Sequence, residues 1–330
     1  MTGLTILDLV RLGEDWNVRE AMDRARDLAA HAERWGYDRF WVAEHHNIPG
    51  ISSSATPLAI AHVAAGTSTI RVGAGGIMLP NHAPLIVAEQ FGTLAHLYPD
   101  RIDLGLGRAP GTDPNTQRAM RRPLGASDQF PQDVLELQRF LGPAAPNQAI
   151  QALPGVGTEV PLWILGSSLF GAQLAARLGL PYGFASHFAP EALIRALETY
   201  RSLFEPSQQL AAPRVAVAIN VVLAESEAEA HRLATTQQMA FADLFRSGRM
   251  VLKPPIAAID DYWSPAEKAN ARRMLARSFI GSPESVRASL QSFLAETQAD
   301  ELVVVTDIYD HASRLKSYRL LAELMPSLET

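Results

Sequence analysis

The sequence contains no cysteine, and this absence excludes disulfides, thiolate nucleophiles and cysteine-ligated zinc or iron–sulfur sites. It also lacks a long basic run, and the formal net charge of -6 disfavours nucleic acids and anionic membranes as partners. The first residues, MTGLTILDLVRLGED, have neither a basic start nor a long apolar core, so they do not predict a signal peptide. No uninterrupted apolar run approaches the length of a membrane span, and we expect a cytoplasmic protein.

The composition is otherwise that of a globular protein, with 47% hydrophobic and 19% charged residues. Eight stretches with strand character alternate with segments of helical spacing. The predicted strands cover 4–10, 38–44, 69–79, 100–107, 161–166, 182–186, 213–224 and 300–307. Alternation predicts parallel strands joined by helices, and eight repeats favour a closed (β/α)8 TIM barrel. A doubly wound open sheet is the alternative, although no GxGxxG follows the first strand.

Two segments depart from a regular alternation within this single domain of residues 1–330. Residues 109–127 are rich in Gly, Pro, Asp, Asn and Arg, and they predict a long loop. Residues 240–281 separate the seventh predicted strand from its closing helix by more than an ordinary connection, and we interpret them as an insertion. Since this insertion follows the carboxyl end of a strand, where barrel active sites form, we expect a lid; a decorative insertion is the alternative.

Polar and small residues follow most of the predicted strands. In a barrel the carboxyl ends of the strands meet at one mouth, so these residues are the candidates for a functional site. They are Asp8, Glu44, His45, His46, Gly75, Gly76, Arg108, Ser167, Ser168, His187 and Asp307.

Arg108 and the segment GSSLFG follow neighbouring predicted strands. A helix that begins after small residues presents free backbone N–H groups to an anion, and a guanidinium completes a phosphate site. The alternatives are a structural ion pair for Arg108 and an N-cap role for Ser167 or Ser168. Adjacent strands that present both features favour a phosphate-bearing ligand.

The segment GAGG places three glycines in four positions of a predicted strand, where glycine costs stability. A β-bulge is one explanation, and a ligand against the backbone or a strained peptide is the other. In EHH, adjacent residues on an extended strand point to opposite faces. His45 is therefore the better candidate for acid–base chemistry near neutral pH, and His46 is expected to be structural.

Long segments of the chain resemble the bacterial-luciferase-like flavin monooxygenase family, and especially its unspecialised bacterial oxidoreductases. The most specific are WVAEHHN, IRVGAGGIMLPNHAPLIVAEQFGTLAHLYPDRIDLGLGRAPG, and GSPESVRASL with ADELVVVTDIYDHASRLKSYRLLAE near the end. The resemblance covers essentially the whole chain. It implies a (β/α)8 barrel that binds reduced FMN at the carboxyl ends of its strands.

The resemblance also implies roles for individual residues. His45 matches the catalytic histidine of the EHH motif, and Gly75-Gly76 matches a non-prolyl cis peptide beneath the flavin ring. Arg108 matches the arginine that contacts the FMN phosphate, and the loop after strand five supplies the remaining contacts through Gly166, Ser167, Ser168 and the amide of Gly171. Trp41, Phe170 and His187 are expected to shape the substrate pocket.

The chain departs from the light-emitting members at two positions. Gly107 stands where they carry a reactive cysteine, and Ser167 stands where they carry an acidic residue. We therefore do not expect luminescence. A second phosphate-binding arginine, among Arg118, Arg121 and Arg122, is not identified by the motif.

The resemblance implies a monooxygenase that takes FMN, reduced by a separate NAD(P)H:flavin reductase, and uses O2 to oxygenate a small aldehyde or ketone. It also implies a homodimer through the second and third barrel helices, where PLAIAHVAAGTS is rich in small residues. Three alternatives are a deazaflavin-dependent reductase, a non-catalytic flavin-binding chain, and a metal-dependent hydrolase with His45, His187 and Asp307 as ligands. Outside that last alternative, we expect no metal.

Overall fold

Eight parallel strands form a closed ring in the computed structural model, which describes residues 2–123 and 125–328. The ring runs from β1 to β7, continues through β9, and closes between β9 and β1, so the predicted TIM barrel is confirmed. The strands are β1 (Gly3–Asp8), β2 (Arg39–Val42), β3 (Arg71–Met78), β4 (Ile102–Gly107), β5 (Leu162–Gly166), β6 (Tyr182–Phe184), β7 (Val215–Leu223), β8 (Ser278–Gly281) and β9 (Glu301–Val305).

Helices fill the connections and cover the outside of the barrel. They are α1 (Val18–Arg34), α2 (Thr56–Ala64), α3 (Pro84–Leu97), α4 (Pro114–Ala119), α5 (Phe130–Leu141), α6 (Leu169–Leu178), α7 (Leu193–Ser202), α8 (Glu227–Ser247), α9 (Pro265–Met274), α10 (Pro283–Thr297) and α11 (His311–Leu324). The first helix shows why these boundaries arise: Asn17 and Glu20 form a capping box at its start, and Gly36 follows its end with a φ of 82°. No helix of the described ranges is long and apolar enough to cross a membrane.

Three details differ from the sequence prediction. The stretch 109–127 is not all loop, because α4 and the start of a 3₁₀ turn at Ala126–Gln129 lie within it. The first part of 240–281 continues α8 as far as Ser247. The last part contains an unpredicted strand, β8, which pairs with the upper half of β7 outside the eight-stranded ring.

The barrel interior is filled in layers. An apolar layer contains Trp41 and Trp163, whose rings meet edge to face with centroids 5.1 Å apart. At the amino-terminal end of the strands, the buried Arg39 contacts Asp103 at 3.0 Å and Glu301 at 2.8 Å. These ionic contacts close the end of the barrel that lies away from the candidate site.

The segment after α8 packs back onto the barrel and onto the helix itself. Lys253 contacts Asp243 of α8 at 2.8 Å, and Trp263 packs against Phe241 in a small separate core. Arg11, in the loop after β1, donates to the carbonyl oxygen of Met250 at 2.5 Å. The segment therefore contacts both α8 and the loop after β1.

Candidate functional site

A cavity of about 650 Å³ lies at the carboxyl ends of the barrel strands. Every one of the eight ring strands, or the loop after it, contributes to its lining, and α8 with its following segment closes one side. Both the volume and the location are typical of a small-molecule or cofactor site.

The structure brings most of the predicted site residues to this cavity. Asp8, Glu44 and His46 do not line it, whereas the following do: His45, Gly75, Gly76, Arg108, Gly166, Ser167, Ser168, Phe170, Gly171, His187 and Asp307. Trp41 is not among the lining residues, although we predicted it for the substrate pocket. Its ring is buried in the barrel interior, and its indole Nε1 lies 3.4 Å from the Asp103 carboxylate.

One side of the cavity has the features of an anion site. The guanidinium of Arg108 lies 4.2 Å from the centre of the Phe170 ring and has no carboxylate partner among the residues that the structure describes. Ser168 occupies the N-cap position of α6, but its hydroxyl makes no capping hydrogen bond. The two structural alternatives, an ion pair and a side-chain cap, are thus not observed. The guanidinium, two hydroxyls and the first amides of α6 remain available to a phosphate.

The arginines that the motif did not distinguish lie elsewhere. Arg118, Arg121 and Arg122 do not line the cavity. Arg122 donates to the carbonyl oxygen of Pro80 at 3.0 Å and also to that of His82, which gives it a structural role. No second phosphate arginine is found among them.

The peptide bond between Gly75 and Gly76 is cis, as the resemblance implied, and β3 has a register shift relative to β4 at the same place. A β-carbon on Gly76 would lie 2.6 Å from the carbonyl oxygen of Gly105, and one on Gly75 would lie 2.6 Å from Leu7. The β-bulge and the close approach of the Gly76 backbone to the Gly105 backbone therefore occur at the same point of β3. The two glycines form a floor without side chains at this point of the cavity.

Beside His45, the buried carboxylate of Glu44 is the centre of a hydrogen-bond network. It accepts from His46 Nε2 at 2.6 Å, from His82 Nε2 at 2.9 Å and from the backbone N–H of Met78 at 3.0 Å. Burial raises the pKa of this carboxyl, but the bonds from His46, His82 and Met78 outweigh burial and lower it to about 2. His46 therefore has the structural role that we expected.

His45 and His187 are both neutral near pH 7. Burial lowers the pKa of His45 to about 4. The carboxylate of Glu44 raises this pKa and the nearby charge of Arg11 lowers it, so burial and Arg11 together outweigh Glu44. Burial lowers the pKa of His187 to about 3, and the proximity of His45 lowers it further. Neither imidazole has a hydrogen-bond partner within the described ranges, and the Nδ1 atom of each is buried. A neutral imidazole offers one donor and one acceptor to a bound molecule.

The other ionic groups near the cavity compensate each other. Arg11 contacts Asp307 at 2.7 Å, and Arg314 contacts Asp8 at 3.2 Å. Both guanidiniums are thus paired with carboxylates, while the ionised carboxylate of Glu44 lies next to His45. Among charged side chains that line the cavity, only Arg108 has no oppositely charged partner in the described part of the chain.

The ligand set proposed for a metal-dependent hydrolase is not assembled. Asp307 is held by Arg11, and His45, His187 and Asp307 do not form a group with ligand atoms close together. In the described ranges, one such group exists, formed by Glu44, His46 and His82 with atoms within 4.8 Å of one another. Both imidazoles already donate to the carboxylate, so these side chains satisfy each other.

Several lining residues were missed by sequence reasoning. Arg11 lies three residues beyond β1, close enough to a strand end to have been a candidate. Asn220 lies inside β7, while Gln237 and Phe241 lie on α8, and no motif marks them. Met250 and Met274 come from the segment after α8, whose path is set by tertiary contacts.

Comparison with known proteins agrees with this architecture. A family model described as luciferase-like monooxygenase matches residues 4–301. The luciferase-like monooxygenase of Escherichia coli (strain K12) is 49% identical over 325 residues, which cover 98% of this chain and 97% of that protein. The crystal structure of apo-MsnO8 is 36% identical, covers 99% of both chains and has a TM-score of 0.91.

A more distant structure shares the fold. It is the oxygenating constituent of 3,6-diketocamphane monooxygenase from the CAM plasmid of Pseudomonas putida, a type II Baeyer–Villiger monooxygenase in complex with FMN. It is 18% identical, covers 98% of each chain and has a TM-score of 0.73. On the match of the family model and the identity to the E. coli protein, this chain belongs to the luciferase-like monooxygenase family of oxidoreductases.

Proposed function

We propose that the chain is a flavin-dependent monooxygenase that uses reduced FMN and O2 to oxygenate a small aldehyde or ketone. In the overall reaction one oxygen atom enters the substrate and the other leaves as water. The two electrons and two protons that the second oxygen atom requires would come from reduced FMN, with oxidised FMN as the other product.

One observation carries this proposal: a single cavity joins an anion site to a neutral histidine across a floor of two glycines. Arg108 and the start of α6 supply the charge and the amides that a phosphate needs. Gly75 and Gly76 present backbone without side chains to the cavity, which suits a flat ring. These features support a ligand that carries both a flat ring and a phosphate, and we propose FMN.

When bound, FMN would supply the redox chemistry, and the protein would bind, orient and protect it. Arg108, Ser167 and Ser168 would hold the phosphate, and Gly75-Gly76 would support the ring. His45 is neutral at pH 7, so its ring nitrogens can accept a proton or donate one to a group in the cavity. The apolar walls formed by Phe241, Leu244 and their neighbours would exclude water.

Two partners complete the proposal. A separate NAD(P)H:flavin reductase would deliver reduced FMN. A homodimer would form through α2 and α3, where Leu58 and Ile86 are exposed apolar side chains. Sedimentation velocity should show a dimer for the wild-type chain and a monomer for Leu58→Glu. A monomeric wild-type chain would contradict the dimer.

Measurements of equilibrium binding test which cofactor the chain prefers. We expect the chain to bind reduced FMN under anaerobic conditions more tightly than the deazaflavin F420. Preference for F420 would favour the deazaflavin-dependent reductase, and binding of neither would overturn the flavin proposal. A chain that binds FMN but never transfers oxygen to any substrate would be the non-catalytic alternative.

A further inference from the structure

His187, which we expected to shape the substrate pocket, lines the cavity, and the proposed function gives its imidazole no specific role. It follows β6 on the wall of the cavity, and its ring contacts the ring of Phe188 with centroids 4.7 Å apart. Its imidazole has no hydrogen-bond partner within the described ranges, and its Nδ1 atom is buried. A buried polar group without a partner costs free energy unless a ligand satisfies it.

The backbone of His187 is fixed by a short relay from α8. Asn220 donates from its side-chain amide to the carbonyl oxygen of His187 at 2.6 Å. Gln237 in turn donates to the Asn220 side chain at 2.8 Å. All three residues line the cavity, so the relay places the imidazole against the same space that His45 borders.

The surroundings of the two imidazoles favour an uncharged polar group. Arg11 is paired with Asp307 and Arg314 with Asp8, and the further charge beside His45, the carboxylate of Glu44, is negative. Arg108 lies on the side of the cavity assigned to the phosphate. A carboxylate beside His45 and His187 would therefore lose its hydration without meeting an unpaired cation of the described chain, and this loss is costly.

Apolar side chains form the remaining wall near α8. Phe241 and Leu244 of the helix, with Met250 and Met274 beyond it, line this part of the cavity. Methionine side chains adapt to ligands of different shape, so this wall suits a flexible hydrocarbon portion.

We propose that His187 is a specificity-determining residue that, together with His45, receives the single uncharged oxygen-bearing group of an otherwise apolar substrate and rejects carboxylates. This inference rests on the proposed function, because it takes the second ligand of the cavity to be the substrate of that reaction. The selection itself depends only on the two imidazoles and on the lack of an unpaired cation beside them in the described part of the chain.

Three ligands with the same hydrocarbon chain test the inference by calorimetric titration of the FMN-loaded protein: 1-octanol, octanoate and octylammonium. We expect 1-octanol to bind at least about tenfold more tightly than either ion. His187→Leu should weaken 1-octanol about fivefold to tenfold, the size of one lost hydrogen bond, and leave FMN affinity unchanged. His187→Gln, which keeps a donor and an acceptor, should restore most of the affinity.

Three outcomes would overturn the inference. They are octanoate binding as tight as that of 1-octanol, wild-type affinity of His187→Leu for 1-octanol, and no binding of any of the three ligands. Repeating the titration without FMN separates this inference from the proposed function. If the chain fails to bind FMN but still selects 1-octanol through His187, the selection stands and the flavin proposal fails.

Discussion

The carboxylate of Glu44 accepts a hydrogen bond from the backbone N–H of Met78 at 3.0 Å, which ties the end of β2 to the end of β3. The backbone N–H of Glu44 also donates to the carbonyl oxygen of Gly76 at 3.2 Å. His45 is the next residue along the chain. One buried residue thus connects the imidazole that we assign to proton transfer with the glycine floor of the cavity.

Glu44→Gln should disturb both stability and the site. The amide cannot accept from His46, His82 and Met78 with the strength of a carboxylate, so we expect a loss of about 2–4 kcal/mol in the free energy of unfolding, measured with urea. FMN affinity should fall as well, because the floor shifts.

Glu33→Gln is the matched control for this prediction. Glu33 also accepts backbone N–H groups, those of Ser68, Thr69 and Ile70, but it does not line the cavity. It should alter stability without altering FMN affinity. Equal FMN affinities for Glu44→Gln and the wild type would contradict the positioning role of Glu44.

Arg108→Gln should weaken FMN but not riboflavin, because riboflavin lacks the phosphate. Loss of a charge-assisted hydrogen bond of roughly 1.5–3 kcal/mol corresponds to about 10- to 150-fold in the dissociation constant. Flavin fluorescence titration measures both ligands. Arg118→Gln, an exposed arginine that does not line the cavity, should leave both affinities unchanged. An equal effect of Arg108→Gln on FMN and riboflavin would remove Arg108 from the phosphate site.

Acid should destabilise the chain through its buried histidines. In the unfolded chain His45 titrates near 6.5, whereas its folded pKa is about 4, so between these values the unfolded state binds more protons. Stability is therefore full above pH 6.5 and falls as the pH drops toward 4. For His45 alone the loss at pH 5 is about 2 kcal/mol, at 1.36 kcal/mol for each pKa unit.

Urea unfolding at pH 7 and pH 5 measures this effect. His187 contributes in the same direction, since its folded pKa is about 3. His45→Gln should show a smaller difference between the two pH values than the wild type, whatever its absolute stability. The low pKa of Glu44, about 2, acts only below pH 4.5 and does not enter this comparison. If the free energy of unfolding changes equally between pH 7 and pH 5 in the wild type and in His45→Gln, the folded chain does not lower the pKa of His45.

The sequence contained enough information for the barrel and for most of the cavity, because both depend on local patterns. Alternating strands and helices gave the eight units of the ring, and the residues after each strand identified the mouth. The segment PNHAP, after β3, also carried His82, which was not singled out although it follows a strand end. Its partner Glu44 is distant in the chain, and the pairing became visible only in the folded structure.

Depth within the barrel is what the sequence could not specify. Trp41 lies on a strand that ends at the cavity, but its ring packs against Trp163 in the barrel interior, and Gly75 stands directly beside it in the cavity wall. Arg39 and Glu301 are likewise distant in the chain, and their contact at 2.8 Å arises only when the ring closes. Strand β8 is short and lies outside the ring, so no alternation predicts it.

If the cavity slows the oxidation of reduced FMN through His45, both the protein and this histidine must change the rate of that oxidation. Stopped-flow mixing of protein-bound reduced FMN with oxygenated buffer, followed by the absorbance of oxidised flavin, measures this rate. We predict that oxidised flavin appears at least about tenfold more slowly with the wild-type chain than without protein, and faster with His45→Ala than with the wild type. Equal rates with and without the wild-type chain would contradict the account.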